Sequence, residues 1–442
     1  MTTTAKPNLT TLTPHLGLRG VVLFGLAYMA PLIVLGTYGI VADTTHGTVP
    51  TAYLLAMVAM LFTAASYGKM AAAFPVAGSA YTYVRKAIDS RVGFLVGWAV
   101  LLDYFFLPMV IWLIGSAYLS AQFPSVPSWL WLVTFILLTT ALNVLGIKVA
   151  AKANFVLMAF QILVIAFFVV LSLRQVVVDG HSLASSTPFG HNGSSFSSIS
   201  AGAALAAYSF LGFDAVTTLT EETIEPRKTI PRAILLTALI GGGIFVVLAY
   251  STQLVHPGST FDDQSSAAFE IAKTIGGNLF SSFFLAGLVV AQFASGIAAQ
   301  AGASRLMYAM GRDGVLPKKL FGYLHRRLQT PVFGIVLIGV VGLVALTLSV
   351  STSTSFINFG AFTAFTFVNL SVIAHWLRNR DGSPVTHVVF PVIGAVVDVW
   401  LLFHLDGIAL TFGLVWLGIG IVYLLVLTRF FRVPPPEMTF EE

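Results

Sequence analysis

The chain has 442 residues, 57% of them hydrophobic and 9% charged, with a mean hydropathy of +0.89, which excludes a soluble domain and identifies a polytopic membrane protein. The net charge of +5 needs no nucleic-acid partner, because Lys and Arg collect in cytoplasmic loops for topological reasons. The absence of cysteine excludes disulfides, thiolate metal sites and cysteine nucleophiles.

Apolar windows of about twenty residues each cross roughly 30 Å of hydrocarbon. They centre near Gly36, Met60, Val110, Leu137, Val164, Ala206, Phe245, Val289, Ile338, Phe365, Val396 and Leu417, which predicts twelve transmembrane helices in an all-α membrane protein. The expected order is a cytoplasmic tail (1–18), a first half with spans 1 to 5 (19–174) and an extracellular loop rich in Ser, Gly and His (175–197). A second half with spans 6 to 10 (198–377), spans 11 and 12 (378–430) and a cytoplasmic tail (431–442) follow. No signal-cleavage pattern follows the first span, so it is expected to persist. With the N-terminus inside, all 23 Lys and Arg except Arg174 and Lys273 fall on the cytoplasmic side, so both termini are expected there.

In span 1, Pro31 lacks a donor and clashes with the preceding turn, which predicts a break near residues 30–35. Ala30, Pro31, Leu32, Ile33 and Val34 then offer unpaired backbone groups to a polar solute. Span 6 holds Phe210-Leu211-Gly212-Phe213-Asp214, a carboxylate beside a helix-weakening glycine. An ionised side chain at mid-membrane costs about 2.5–3.5 kcal/mol and faces a cavity, a partner or an ion path. The two interruptions occupy corresponding places in the two halves, the pattern that points to a transporter site.

In span 3, Tyr104, Pro108 and Trp112 recur every four residues along one face, and Asp103 lies roughly 100° away. Ser295 in span 8 and Asn358 and Thr363 in span 10 are polar candidates that also suit interhelical contacts. Asp398 in span 11 is expected to pair with Trp400, His404 or a neighbouring helix. Glu221, Glu222, Arg227, Arg232, Arg305 and Arg312 are expected to pair across the inner ends of spans 6 and 8 as a gate or anchor, at under about 1 kcal/mol per exposed pair. There is no His-Glu-x-x-His run, Walker loop or nucleophile elbow, so neither an enzyme nor a cofactor is expected.

Four segments carry a resemblance. They are Phe74-Pro75-Val76-Ala77-Gly78-Ser79-Ala80-Tyr81-Thr82-Tyr83; Asn143-Val144-Leu145-Gly146-Ile147-Lys148; Glu221-Glu222-Thr223-Ile224-Glu225-Pro226-Arg227-Lys228; and Arg305-Leu306-Met307-Tyr308-Ala309-Met310-Gly311-Arg312-Asp313-Gly314. Over essentially its full length the chain resembles the amino acid, polyamine and organocation permeases. It is most similar to bacterial putrescine importers, in Ser66-Tyr67-Gly68-Lys69, Leu101-Leu102-Asp103-Tyr104 and Ile357-Asn358-Phe359-Gly360-Ala361.

The resemblance implies a five-plus-five inverted repeat, discontinuous spans 1 and 6, and secondary transport by alternating access. It places the substrate between the broken spans, with walls from spans 3, 8 and 10. A diamine would need carboxylates and aromatic faces, supplied by Asp214 with Tyr208, Phe210 and Phe213. An amino acid would use backbone N–H groups and a half-helix N-terminus. In related antiporters the position of Asp214 is a Glu implicated in proton coupling, which makes Asp214 and Asp103 the coupling candidates and H+ the expected ion.

Two departures stand against full carry-over: Gly36 replaces a span 1 Asp of the putrescine importers, and Gln161 stands where proton-coupled amino acid members have a Lys. Import of a small organic amine, an amino acid permease or exchanger, a ligand sensor that moves nothing, and an ion channel remain the alternatives. The expected partners are the bilayer, a small amine or amino acid and a proton, without nucleic acid or an obligate protein.

Overall fold

The computed structural model describes residues 15–76, 80–146, 151–190, 193–328 and 330–436; the first fourteen residues, the end of the C-terminal tail, and 77–79 and 147–148 of two quoted motifs lie outside the described residues. Among the described residues every regular element is helical, apart from one isolated bridge between Leu16 and Thr223. In chain order the α-helices are α1 (Leu18–Met29), α2 (Ile33–Thr44), α3 (Val49–Ala73), α4 (Ala80–Ala87), α5 (Ser90–Gln122), α6 (Ser128–Val144), α7 (Ala151–Val178) and α8 (Phe196–Ala206). They continue with α9 (Pro226–Val255), α10 (Ala267–Arg312), α11 (Lys318–Phe321), α12 (Val332–Gly342), α13 (Val350–Asn379), α14 (Phe390–Leu402) and α15 (Gly407–Leu427).

Nine stretches among the described residues are long and apolar enough to cross a bilayer, or ten when the bent pair α1–α2 counts as one. Two more helices, α6 and α12, are apolar but shorter. Each of the twelve expected centres falls in one of these helices. Prolines set the two short lengths: α6 starts after Pro127 and stops before Gly146 in a left-handed conformation, while α12 starts after Pro331 and tightens into a 3-10 turn at Leu343–Leu346.

The centre is built from α3 against α9 and from α5 against α10 and α13. These helices bring in fully buried Tyr53, Tyr67, Trp112, Tyr118, Phe245 and Phe284, large rings that keep the helices in fixed register. The last two helices lie outside this centre. α14 packs on α3 and α13, and α15 packs on α5 and α13. A reciprocal pair fastens α15 to α5: Trp98 Nε1 donates to the Trp416 carbonyl at 2.9 Å and Trp416 Nε1 to the Trp98 carbonyl at 2.8 Å, with the rings stacked at 4.9 Å.

Candidate functional site

The first break is shorter than the sequence implies. α1 stops at Met29, Ala30 sits in the left-handed region at φ 45°, Pro31 and Leu32 form a turn, and α2 starts at Ile33 with its axis bent by 49°. Ile33 and Val34, expected in the unwound stretch, are already helical. Pro31 is tolerated at the opening of a helix, where its missing N–H costs nothing, so the chain resumes α geometry at once. The first turn of α2 has no side-chain cap, and its Ile33 and Leu35 N–H groups donate to the Ala30 and Leu32 carbonyls at 2.9 and 3.1 Å.

The second break is longer. After Ala206 the chain runs through a 3-10 turn (Ala207–Phe210), a bend at 211–214 and a second 3-10 stretch (Ala215–Glu222), with no α-helical turn until Pro226. Gly212 holds φ 112°, and a Cβ built there would stand 2.3 Å from Cδ1 of Tyr28. The bend of the second break therefore rests directly on the last turn of α1.

Asp214 follows at the N-terminus of the second 3-10 stretch. The N–H groups of Gly212, Asp214 and Ala215 and the hydroxyl of Tyr67 lie within hydrogen-bonding reach of its carboxylate. Tyr67 is fully buried in α3, edge-on to Phe213 at 5.7 Å and to Phe365 at 5.9 Å. Asp103 is close enough to feel the charge of Asp214, Tyr28 and Tyr104 feel both acids, and Tyr208 feels Asp103. Tyr28 is 51% exposed, and Asp103, Tyr104 and Asp214 are half-buried, whereas Leu32, Tyr38, Tyr208 and Asn358 are closed off. These half-buried side chains mark an accessible cavity beside α1, with Leu32, Tyr38, Tyr208 and Asn358 closed off around it.

The remaining expected residues divide between this cavity and the packing around it. Phe210 is buried edge-on to Phe245 at 5.0 Å, and Phe213 lies between Tyr67 and Phe365, so both rings serve the core. Pro108 is buried inside α5. Trp112 is fully buried against α10 and α12, since a Cβ on Gly296 would be 2.6 Å from its Nε1 and one on Gly342 would be 2.5 Å from its ring. Asn358 Nδ2 donates to the Ala204 carbonyl at 2.7 Å, taking up one of the carbonyls left open at the end of α8, while its Oδ1 has no partner. Ser295 is half-buried on α10, and Thr363 bonds back to the Phe359 carbonyl. Gln161 is buried with an unpartnered Oε1.

Beyond these residues, His15 faces Glu222 at 4.0 Å, and the Leu16–Thr223 bridge ties the entry of α1 to the end of the second break. Arg312 meets Asp313 at 3.1 Å. The side chain of Glu221 lies outside the described residues. Asp398 takes the neighbouring-helix partners, accepting from Thr63 Oγ1 at 2.9 Å and Asn369 Nδ2 at 2.9 Å, while Trp400 donates to Ser200.

Sequence reasoning missed Tyr28 and Tyr67. Tyr67 stood inside a quoted motif, and Tyr28 stands one turn before Pro31, but nothing in a chain with 13% aromatics singles either out.

The model of the family described as "Amino acid permease" matches residues 20–382. The low-affinity putrescine importer PlaP of Escherichia coli (strain K12) is 42% identical over 426 residues, covering 94% of each chain. The branched-chain amino acid permease BcaP of Bacillus subtilis (strain 168) is 25% identical, covering 92% of each. Cationic amino acid transporter 4 of Mus musculus is 30% identical over 84% of this chain and 59% of its own length.

Proposed function

The chain belongs to the amino acid permease family, and from that premise we propose that this transporter imports a small organic amine, putrescine or a close relative, across the bacterial inner membrane. The observation that carries the proposal is the meeting of two broken helices at Tyr28 and Gly212, with a carboxylate two residues further on. An ammonium group between them would find Asp214 and the Tyr28 and Tyr104 rings. The 42% identity to a putrescine importer points to the same substrate class.

The transport cycle proposed is alternating access on twelve spans, with α1–α2 to α7 and α8 to α13 as two inverted five-span repeats. Packing supports this, because exchanging the halves maps contacts onto contacts. α1 lies on α9 as α8 lies on α3, α5 on α6 as α10 on α12, α7 on α9 as α13 on α3, and α5 on α13 as α10 on α7. The distribution of Lys and Arg supports cytoplasmic termini, and the cavity then faces the cytoplasm. Asp214 is the proposed coupling acid: it releases a proton to admit the amine and regains it on the return. The bridge at Leu16–Thr223 lets the entry of α1 and residues 215–222 move together as the inner gate.

One feature of the site favours a second substrate. The uncapped first turn of α2 suits an amino acid carboxylate, and Gly36 brings no acid to that helix. Uptake of labelled putrescine and of a panel of labelled amino acids into proteoliposomes, with and without an imposed pH gradient, separates the two. The amine reading requires putrescine uptake that responds to an imposed pH gradient, and loss of that response in Asp214→Asn. Uptake confined to amino acids would sink it.

A further inference from the structure

A diamine carries two cations, and the site described so far assigns only one carboxylate to them. The second candidate is already in the cavity. Asp103 lies on α5, where Gly360 lets α13 approach so closely that a Cβ on it would be 2.6 Å from the Ala99 carbonyl oxygen and 3.6 Å from the Asp103 backbone nitrogen. That approach fixes the backbone of Asp103 from the α13 side. Its Oδ1 is buried without a hydrogen-bond partner, although the side chain as a whole remains half-exposed to the cavity. Tyr104 is its neighbour in sequence, and Tyr28 and Tyr208 come from the two broken spans.

We propose that Asp103 and Asp214 are the two poles of a diamine site, each taking one ammonium group, with Tyr28, Tyr104 and Tyr208 flanking the alkyl chain between them. The inference rests on the amine reading above and narrows it to dications.

An isolated carboxylate in a poorly solvated cavity needs a partner, and the structure leaves an oxygen of Asp103 without one. Two acids that feel each other's charge repel when both are ionised, and a dication relieves the repulsion while satisfying both. The tyrosine rings present apolar and π surface that accepts methylene groups and ammonium edges alike, which gives length selectivity without further charge. Gly36 is then no obstacle. The side chains nearest to a Cβ on it would be Ile114, Ile33 and Gln292, so the second acid is sought on α5 rather than on α2.

The test compares labelled putrescine with labelled butylamine, a monoamine of the same carbon count, in proteoliposomes. For the wild type, the diamine should show a KM at least about tenfold lower, the factor of one well-placed charge contact. Asp103→Asn should raise the putrescine KM by at least that factor and leave the butylamine KM within about threefold, and Asp103→Glu should restore most of the diamine preference. An Asp103→Asn protein that shifts both substrates equally, or neither, overturns the dyad. Should that variant fail to fold, competition against putrescine uptake by the wild type decides: monoamines as effective as diamines overturn the proposal, and diamines at least about tenfold better support it. A wild type that takes up neither amine sinks the amine reading and the dyad together, whereas putrescine uptake insensitive to Asp103→Asn sinks the dyad alone.

Discussion

Replacing Gly212 by Ala tests the junction between the two breaks. Gly212 stands at φ 112°, a conformation that costs a residue with a Cβ about 1–3 kcal/mol. The added methyl would also lie 2.3 Å from Tyr28 Cδ1, roughly 1 Å inside the 3.4 Å at which ordinary contact begins. Because Tyr28 is 51% exposed, its ring has room to swing into the cavity, so the steric part should sit near the low end of the overpacking range of about 1–3 kcal/mol.

Backbone strain is then the larger part, and the total is about 2–4 kcal/mol. Thermal unfolding of the purified protein in detergent, followed by ligand-free tryptophan fluorescence, measures it. Tyr28→Ala in the same background removes the collision and leaves the φ penalty, so the double variant should recover about 1 kcal/mol of the loss and no more. A Gly212→Ala protein as stable as the wild type, with unchanged transport, would refute the claim that a left-handed bend pressed against Tyr28 defines the site.

Three further outcomes are expected. Asp398→Ala should destabilise by about 3–5 kcal/mol, because it strips Thr63 and Asn369 of their buried acceptor, whereas Asp398→Asn should cost clearly less; unfolding midpoints in detergent rank the two. Trp98→Phe removes one of the reciprocal bonds and should cost about 1 kcal/mol, loosening α15 without changing the KM of transport, as proteolysis rates and uptake kinetics will report. Asn358→Ala leaves the Ala204 carbonyl open at the end of α8 and should cost about 1–3 kcal/mol in the same unfolding assay.

Hydropathy placed the helices because each must bury its backbone bonds and show apolar side chains to lipid or neighbours, a constraint written in local composition. The breaks were legible as positions but not as lengths. Pro31 marks where α1 ends, yet a helix can restart one residue after the turn. Gly212 marks the bend, yet 3-10 and α geometry draw on the same residues, so the run from 207 to 222 leaves no trace in the letters.

Side-chain partners were least legible. The four-residue spacing of Tyr104, Pro108 and Trp112 gives their face on α5, but Trp112 meets Gly296 and Gly342, from helices far along the chain, and is closed off by them. Phe210 and Phe213 carry the same aromatic signal as Tyr208 and are turned into the core by α9 and α3. Asp398 was foreseen as paired, while its partner Thr63, 335 residues away, could be found only in three dimensions.

The most direct measurement is an experimental density map of the protein saturated with putrescine. Substrate density is expected between residues 30–32 and 211–214, with one ammonium group in contact with Asp214 and the rings of Tyr28 and Tyr104 beside it. Density elsewhere, or continuous α-helix through both segments with Asp214 turned away from the cavity, would contradict it.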